Sequence, residues 1–158
     1  MVQLTIISIG TLSSHFKESV AEYEKRLSQF CNISNINIKE IRIANEDDKT
    51  QIENALSEEA DKIISKIPTG AYKIALCVEG DSPDSIKLSQ IIRRASDTSG
   101  KLCLIIGSSH GLHDKVKAKC DSRLSVSKLT FPHQLMRVIL LEALYRSFSI
   151  IANKRYHK

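Results

Sequence analysis

Short β-branched stretches alternate with longer amphipathic stretches along the chain. VQLTIISI (2–9), bounded by Gly10, predicts a strand. HFKESVAEYEKRLSQF (15–30) predicts a helix, because its apolar residues recur at helical spacing and form one stripe: Phe16, Val20, Tyr23, Leu27 and Phe30. INIKEIRI (36–43) alternates as a second strand and is followed by the polar loop ANEDDKT. QIENALSEEADKIISKI (51–67) then predicts an amphipathic helix that PTG ends.

The same alternation continues to the end of the chain. YKIALCV (72–78) and KLCLII (101–106) predict strands on either side of a helix over DSIKLSQIIRRASDT (84–98). A short helix over LHDKVKAKC (112–120), a strand over RLSVS (123–127) and a long helix from Pro132 to about Ala152 follow. Strands that alternate with helices in this way predict a single-domain α/β fold over 1–158, with one parallel sheet covered on both faces.

Composition narrows the class of protein. The chain has 158 residues, 42% of them hydrophobic, which is enough for a core of ordinary size. No apolar run reaches the roughly 18 residues of a membrane helix, and the first residues resemble no export signal, so we expect a cytoplasmic protein without a membrane contact. The four cysteines are far apart and form no C-x-x-C pair, so we expect free thiols and no metal site.

Charge is concentrated in the last third of the chain. Residues 112–158 carry ten Lys or Arg against three Asp or Glu, a balance of +7, while the whole chain carries only +5. A basic region on a weakly acidic remainder indicates a polyanionic partner such as nucleic acid. Lysines on an ordinary solvated helix would give the same count, and the charge alone leaves that alternative open.

Three loops directly follow predicted strands, where parallel α/β sheets bind their ligands. They are EGDSPD (79–84), GSSHG (107–111) and SKLTFPHQ (127–134). The two glycines of the second loop allow close backbone approach to a ligand and positive φ angles. The loop after the first strand, IGTLSSHF, has one glycine and therefore lacks the dinucleotide fingerprint, and no P-loop pattern occurs in the chain.

The late glycine loop IIGSSHGL, the block LSVSKLTFPHQLMRVILLEALYRSFSIIANKRYHK and EYEKRL in the first helix closely resemble the large-subunit rRNA methyltransferase H family of the SPOUT class. The resemblance covers essentially the whole chain. It implies a C-terminal trefoil knot, a homodimer, S-adenosylmethionine as methyl donor, and N3-methylation of a pseudouridine in 23S rRNA within the ribosome. It also implies that the cofactor contacts Leu76, Gly107, Val126, Ser127, Lys128, Leu129, Thr130 and Phe131.

Two positions depart from the pattern of that family. Relatives commonly have a second glycine after the one that corresponds to Gly107, where this chain has Ser108. They also tend to have Gly-Lys after the third strand, where this chain has Gly80 and Asp81. The first departure bears on the backbone of the glycine loop, and the second reverses a charge near the expected cofactor site.

The reaction that the resemblance implies requires alignment of the reactants and removal of one proton. The candidates for proton acceptor are His133, Tyr156 and His157, and Arg137 is a candidate for binding phosphate or for pairing with an acid. The ending NKRYHK combines aromatic and cationic side chains, which suit stacking on a base and contact with the RNA backbone. A solvated terminus remains the alternative for this tail.

Two other functions stay open at this point. One is a SPOUT enzyme with a different target, such as tRNA ribose methylation, against which the short chain and the YHK ending argue. The other is a ribosome-binding factor without catalysis, for which Ser108 and Asp81 are the only indications. Binding of S-adenosylmethionine would distinguish the enzymes from the binding factor.

Overall fold

The computed structural model describes residues 1–156 as ten elements in strict alternation. The strands are β1 (Val2–Ile9), β2 (Cys31–Ile38), β3 (Tyr72–Asp81), β4 (Lys101–Ile106) and β5 (Ser122–Leu124). The helices are α1 (Ser14–Leu27), α2 (Lys49–Lys66), α3 (Ser85–Ser99), α4 (Asp114–Lys119) and α5 (His133–Ile151).

All five strands form one parallel sheet in the order β2-β1-β4-β3-β5. The predicted α/β class with a parallel sheet is therefore confirmed. The chain moves outward from β1 to β2 and then crosses to the other side of β1, so the direction of winding reverses between β1 and β4. The knot that the family resemblance implies stays a prediction.

Two apolar layers cover the sheet. One face packs against α1, α3 and α5 around a core that includes Leu4, Leu104 and Leu140, all fully buried. The opposite face packs against α2 and α4 around Ile7, Ile63 and Ile105. Burial of β4 on both faces explains why KLCLII is a continuous apolar run without alternation.

The second strand lies earlier in the chain than the sequence predicted. The prediction was 36–43, whereas β2 spans Cys31–Ile38 and pairs with β1 from Val2↔Cys31 to Ile9↔Ile38. Both segments alternate, so the pattern alone does not choose between them. The backbone after Ile38 leaves the sheet, and the N–H of Ile41 donates instead to the buried Glu59 carboxylate of α2 at 3.1 Å.

Other boundaries also differ, and the end of β5 shapes the cleft described below. Helix α1 ends at Leu27, and Phe30 beyond it stacks on Phe148 of α5, with ring centroids 6.0 Å apart. Strand β5 ends at Leu124, three residues before its predicted end at Ser127. The Ser125 N–H still donates to the Asp81 carbonyl of β3 at 2.9 Å, and the residues that follow it leave the sheet and line the cleft. No helix among residues 1–156 is long and apolar enough to cross a membrane.

Candidate active site

An open cleft of about 800 Å³ lies beyond the carboxyl ends of β3, β4 and β5. Its walls come from the end of β3, the loop after β4, the segment after β5 and the first turn of α5. Seven of the eight residues predicted to contact a cofactor line this cleft: Leu76, Gly107, Val126, Ser127, Leu129, Thr130 and Phe131. Lys128, the eighth, is exposed and lies outside the lining.

Gly107 occupies a position where no side chain fits. A β-carbon on Gly107 would lie 2.3 Å from the carbonyl oxygen of Gly111 and 2.6 Å from its carbonyl carbon. Gly111 has φ +88° and donates its N–H to the carbonyl of Ser108 at 2.9 Å, which closes the loop on itself. Of the two glycines, only Gly111 therefore needs a positive φ. Gly107 is needed because its own loop leaves no room for a side chain.

The glycine loop is tied to α2 and to the segment before α2. His113 Nε2 lies 2.6 Å from the Glu53 carboxylate, and His110 Nε2 lies 3.9 Å from that of Glu46. Behind the loop, Glu59 is only 3% exposed, and burial raises the pKa of its carboxyl. These two contacts connect one wall of the cleft to α2 and to the segment before it.

A bulge in β3 forms the facing wall. Leu124 is the register partner of both Leu76 and Asp81, so the residues between Leu76 and Asp81 project out of the sheet. Gly80 allows this, because a β-carbon there would lie 2.6 Å from the backbone of Leu124. An ion pair between Glu79 and Lys117 of α4 holds the bulge in place. Lys117 also donates a hydrogen bond in this pair, which lowers the pKa of the Glu79 carboxyl.

Two hydrogen bonds within the segment after β5 fix its conformation. The Ser125 hydroxyl donates to the carbonyl of Ser127 at 2.8 Å, and the Leu129 N–H donates to the Ser127 hydroxyl at 3.0 Å. These bonds leave the Leu129 side chain 71% exposed at the rim, and Val78 on the bulge is 84% exposed. The mouth of the cleft therefore carries unpaired apolar side chains.

Sequence reasoning missed several lining residues: Cys77, Val78, Lys117 and Met136. It included Glu79 only as the first residue of the candidate loop 79–84. The bulge that brings Cys77, Val78 and Glu79 into the wall depends on how β5 pairs with β3. No periodicity within β3 indicates that pairing. Met136 could have been found, since it lies one turn after His133 on the predicted last helix.

His133 is the proton-acceptor candidate that lies in the cleft. It begins α5 directly after Pro132, the N-cap residue, and its half-buried ring lines the cleft. The ring also rests on Gly10 at the end of β1. Its Nε2 atom is 3.4 Å from where a β-carbon on Gly10 would stand. The loops after β1 and β5 thus fix this side chain together.

Arg137 lies behind the cleft rather than in it. Its side chain is buried, and Nη1 donates to the Asn37 side chain of β2 at 2.8 Å. It lines a separate cavity of about 10 Å³ with Ser8, and the buried Arg137 Nε and Ser8 Oγ atoms have no hydrogen-bond partner among residues 1–156. Burial lowers the pKa of Arg137. A role in joining α5 to β1 and β2 fits this geometry better than direct contact with RNA.

Tyr156 lies on the outer side of α5, away from its own cleft. Its hydroxyl donates to the Glu142 carboxylate at 3.0 Å, and its ring packs edge-on against Tyr145 with centroids 4.7 Å apart. Glu142 follows His133 by about 13 Å of helix axis at the standard rise per residue. Burial and the bond to Glu142 raise the pKa of Tyr156, which keeps the phenol protonated. His157, the other tail candidate, lies outside the described residues.

The cleft has the size and chemistry of a site for a nucleoside-like molecule. Sites for small organic ligands in proteins commonly measure about 300–1,000 Å³ and combine apolar walls with a few polar groups. Leu76, Val126 and Phe131 give apolar surface here, and the irregular loops supply backbone N–H and C=O groups. Within residues 1–156, no group of three or more His, Cys, Asp or Glu is gathered as metal ligands would be.

Comparison with known proteins gives consistent matches over the whole chain. The family model described as "Predicted SPOUT methyltransferase" matches residues 2–157. The protein named ribosomal RNA large subunit methyltransferase H in Caldicellulosiruptor bescii is 42% identical to this chain. The similarity covers 98% of this chain and 99% of the relative. The relative of the same name in Finegoldia magna is 41% identical, over 99% of this chain and 100% of its own.

Solved structures share the fold at much lower identity. A probable methyltransferase from Bordetella pertussis superposes with a TM-score of 0.57 at 12% identity, covering 92% of this chain and 93% of that chain. A structure concerned with 2-OH methylation on tRNA superposes with a TM-score of 0.53 at 14% identity, covering 97% of this chain and 99% of that chain. These similarities concern the fold alone.

Proposed function

This chain belongs to the SPOUT methyltransferase family, as its sequence predicted, and we propose that it methylates large-subunit ribosomal RNA with S-adenosylmethionine as the methyl donor. The observation that carries the proposal is the near-complete coverage of relatives named for this activity, at up to 42% identity. The cleft supports it independently, because seven of the eight residues that the resemblance assigns to the cofactor line one cavity.

The cleft fits the methyl donor in size and polarity. The apolar side chains of Leu76, Val126 and Phe131 would hold the adenine ring, and backbone groups of the glycine loop and of the 125–131 segment would bind its polar edges. When bound, S-adenosylmethionine supplies a methyl group that its sulfonium already activates, and S-adenosylhomocysteine remains once the new N–CH₃ bond has formed. The protein must therefore mainly position the target nitrogen.

The target that we propose is N3 of a pseudouridine in 23S rRNA. This nitrogen carries a proton that must leave as the methyl group arrives, so the site needs a proton acceptor. A nitrogen of the His133 imidazole is available for this role, because the ring lines the cleft and lies beside Gly10, where there is no side chain to displace it. The raised pKa of Tyr156 argues against that residue as the acceptor. His157 stays a second candidate.

The position of Tyr156 favours a homodimer in which each tail completes the cleft of the other subunit. Tyr156 is anchored beside Glu142, about 13 Å along α5 from His133. Tyr156 lies outside the lining of the cleft of its own subunit, and His157 is bonded directly to it. We therefore infer that the tail acts at the cleft of a second copy.

The basic last third of the chain suits a ribosomal partner. Its cations would neutralise phosphates of the rRNA and position the protein without reading sequence. The only acids of this region are Asp114, Asp121 and Glu142, and each lies within 4.0 Å of a lysine or an arginine. With this function, we expect the enzyme to act on ribosomes in the cytoplasm.

Methyl transfer to isolated ribosomes tests the proposal. The protein would be incubated with methyl-labelled S-adenosylmethionine and with ribosomes, free 23S rRNA or tRNA, and the modified nucleotide would be located by nuclease digestion and mass spectrometry. We expect one methylated pseudouridine in 23S rRNA. Label on tRNA ribose alone would replace this proposal with the alternative SPOUT activity. Calorimetry that detects no S-adenosylmethionine binding would indicate a factor without catalysis.

A further inference from the structure

We propose that Glu142 and Arg146 are positioning residues that form a socket for Tyr156, and that the socket fixes the direction in which the catalytic tail leaves the subunit. The inference rests on the proposed function, because it assigns a role within the same methyl transfer. The pair lies on the outer side of α5, outside the lining of the cleft, and belongs to none of the residues that the family resemblance assigns to the site.

The socket engages Tyr156 on three sides. The phenol donates to both oxygens of Glu142, at 3.0 and 3.3 Å. The Arg146 guanidinium lies 4.8 Å from the centre of the ring. The Tyr145 ring meets Tyr156 edge to face. A hydroxyl, a ring face and a ring edge are thus each matched by a different side chain, which is more than a solvated tail would need.

Glu142 is itself held in place before it receives the tail. Arg146, one turn later on α5, donates to Glu142 Oε1 from Nε at 3.1 Å and from Nη2 at 2.7 Å. The side chains of the pair are only 25% and 30% exposed, so solvent weakens this contact less than it weakens a surface ion pair. The carboxylate therefore presents a fixed acceptor to the phenol.

The backbone before Tyr156 turns the tail back toward this socket. Asn153 has φ +54°, the left-handed conformation that often ends a helix, and asparagine tolerates it better than most residues. The N–H of Lys154 donates to the carbonyl of Ser149 at 2.9 Å, which closes the end of α5. The Lys154 ammonium then lies 4.7 Å from the Phe30 ring centre and bonds to Gln29. The turn and the socket together direct the tail.

A fixed direction matters because His157, the second candidate for proton acceptor, is bonded directly to Tyr156. The backbone of His157 therefore lies within about 4 Å of that of Tyr156, and the anchor limits where it can go. Loss of the anchor would spread these residues over many orientations, and the population of the productive one would fall. The expected signature is a lower kcat with unchanged affinity for S-adenosylmethionine, since the socket does not touch the cleft.

The decisive experiment combines socket substitutions with removal of the tail. We expect Glu142→Ala to lower kcat about tenfold, the value of one hydrogen bond to a charged group, and Glu142→Gln to lower it less. In a chain truncated after Lys154, the same substitutions should have no further effect on the residual kcat. The matched control is Glu58→Ala, which removes an exposed i,i+4 ion-pair carboxylate from α2 and should leave both chains unchanged.

An equal loss from Glu142→Ala in the full and truncated chains would overturn the proposal, because it would show that Glu142 supports the fold or the subunit contact instead. Coupling gives a second criterion: Tyr156→Phe and Glu142→Ala should together cost no more than either alone. Additive losses would also reject the socket. Arg146→Lys should retain part of the activity that Arg146→Ala loses.

A spectroscopic measurement tests the socket independently of the proposed function. With 3-fluorotyrosine incorporated at Tyr156, the ¹⁹F resonance should be shifted from that of the free amino acid and should move toward it in Glu142→Ala. This signal requires no methyl transfer. A Tyr156 resonance at the free position in the unsubstituted protein would reject the socket even in an active enzyme, whereas an inactive protein with the shifted resonance would reject only the function.

Discussion

The imidazole of His133 rests on Gly10, with its Nε2 atom 3.4 Å from the place that a β-carbon on Gly10 would take. The two residues are far apart in the chain, and both line the small cavity between the ends of β1 and β4 and the first turns of α5. Gly10 also has φ +97°. The orientation of the proposed proton acceptor therefore depends on a glycine that binds nothing itself.

Substitutions at Gly10 should separate backbone strain from displacement of the imidazole. A β-carbon just fits, so Gly10→Ala should lose stability, roughly 1–2 kcal/mol from the left-handed φ, and keep most of its activity. The larger side chain in Gly10→Val should displace His133 and lower kcat by about 10²-fold, the lower end for loss of a positioned base. Turnover and thermal unfolding would be measured for each variant.

The control for Gly10 is Gly70, which has φ +75° and open space around the missing side chain. Gly70→Val should lose stability for the same reason as Gly10→Val but keep full turnover. Equal turnover in the two valine variants would show that His133 does not need its contact with Gly10, or that His133 is not the proton acceptor.

Even the small side chain of alanine should disrupt the structure at position 107. A β-carbon there would lie 2.3 Å from the Gly111 carbonyl oxygen, and this backbone atom cannot move aside as a flexible side chain can. Overpacking costs about 1–3 kcal/mol, so Gly107→Ala should lower the melting temperature and weaken S-adenosylmethionine binding at least tenfold by calorimetry. Gly100→Ala, at φ +65° with no atom nearby, should affect stability only. Unchanged affinity in Gly107→Ala would remove this loop from the site.

Most of the fold followed from the sequence because hydrophobic period and burial agree. The buried strand β4 and the amphipathic helix α2 were located within two residues at each end. The exception is β2. Its residues Asn35 and Asn37 carry polar side chains on the face that packs against α1 and α5, where they bond to Glu24 and Arg137. Such polar pairing across elements weakens the pattern that identifies a strand.

The site was less predictable, since its parts depend on tertiary contacts. The family resemblance indicated the residues of the cleft, yet the bulge that contains Glu79 depends on how β5 pairs with β3. The i,i+4 spacing of Glu142 and Arg146 is visible in the sequence. Their relation to Tyr156 arises only when the chain reverses at Asn153, which is one residue in an uncommon conformation.

Cys77 should report occupancy of the cleft. It is the cysteine that lines the cavity, and burial raises its pKa, so alkylation should be slow at pH 7 and accelerate about tenfold per pH unit as the thiolate fraction grows. Burial raises the pKa of Cys31 and Cys103 to about 12, so these should react far more slowly. Peptide mass spectrometry after iodoacetamide treatment would give each rate.

Saturating S-adenosylhomocysteine should protect Cys77 and leave the other thiols unaffected. Cys120 is the internal reference, because it is half-buried as Cys77 is but lies outside the cleft lining. Identical Cys77 rates with and without the ligand would place the cofactor elsewhere.

Glu59 should make the protein less stable as the pH rises. Burial raises the pKa of this carboxyl, so between the unfolded value near 4.3 and the folded pKa the folded state binds more protons than the unfolded state. The free energy of unfolding must then fall with rising pH in that window, by at most about 1.4 kcal/mol per pH unit. Glu59→Gln retains an acceptor for the Ile41 N–H and should lack this dependence.

Urea unfolding at several pH values would measure the Glu59 effect as a difference between the two proteins. The stability of the unsubstituted protein relative to Glu59→Gln should decline from acid toward neutral pH. Glu58→Gln, an exposed neighbour on α2, should track the unsubstituted protein. A difference that stays constant with pH would show that Glu59 titrates normally in the folded state.

Deletion of 155–158 should abolish efficient methyl transfer without affecting the methyl-donor site. Of the deleted residues, Arg155 and Tyr156 lie outside the cleft lining, so S-adenosylmethionine affinity should change less than twofold, while kcat should fall by about 10²–10⁴ if the tail positions or deprotonates the target. His157→Ala alone should reproduce the loss of kcat if that residue accepts the proton. Tyr156→Phe should lose only the part of kcat that depends on the socket.

Mixed dimers then decide in which subunit the tail acts. A tail-less subunit paired with a Gly107→Ala subunit keeps one intact cleft and one intact tail on different chains, so action across the interface predicts about half the activity of the unsubstituted dimer. At S-adenosylmethionine concentrations too low to fill the Gly107→Ala cleft, action within one chain predicts no activity. Full turnover by the truncated homodimer would show that the tail has no part in catalysis.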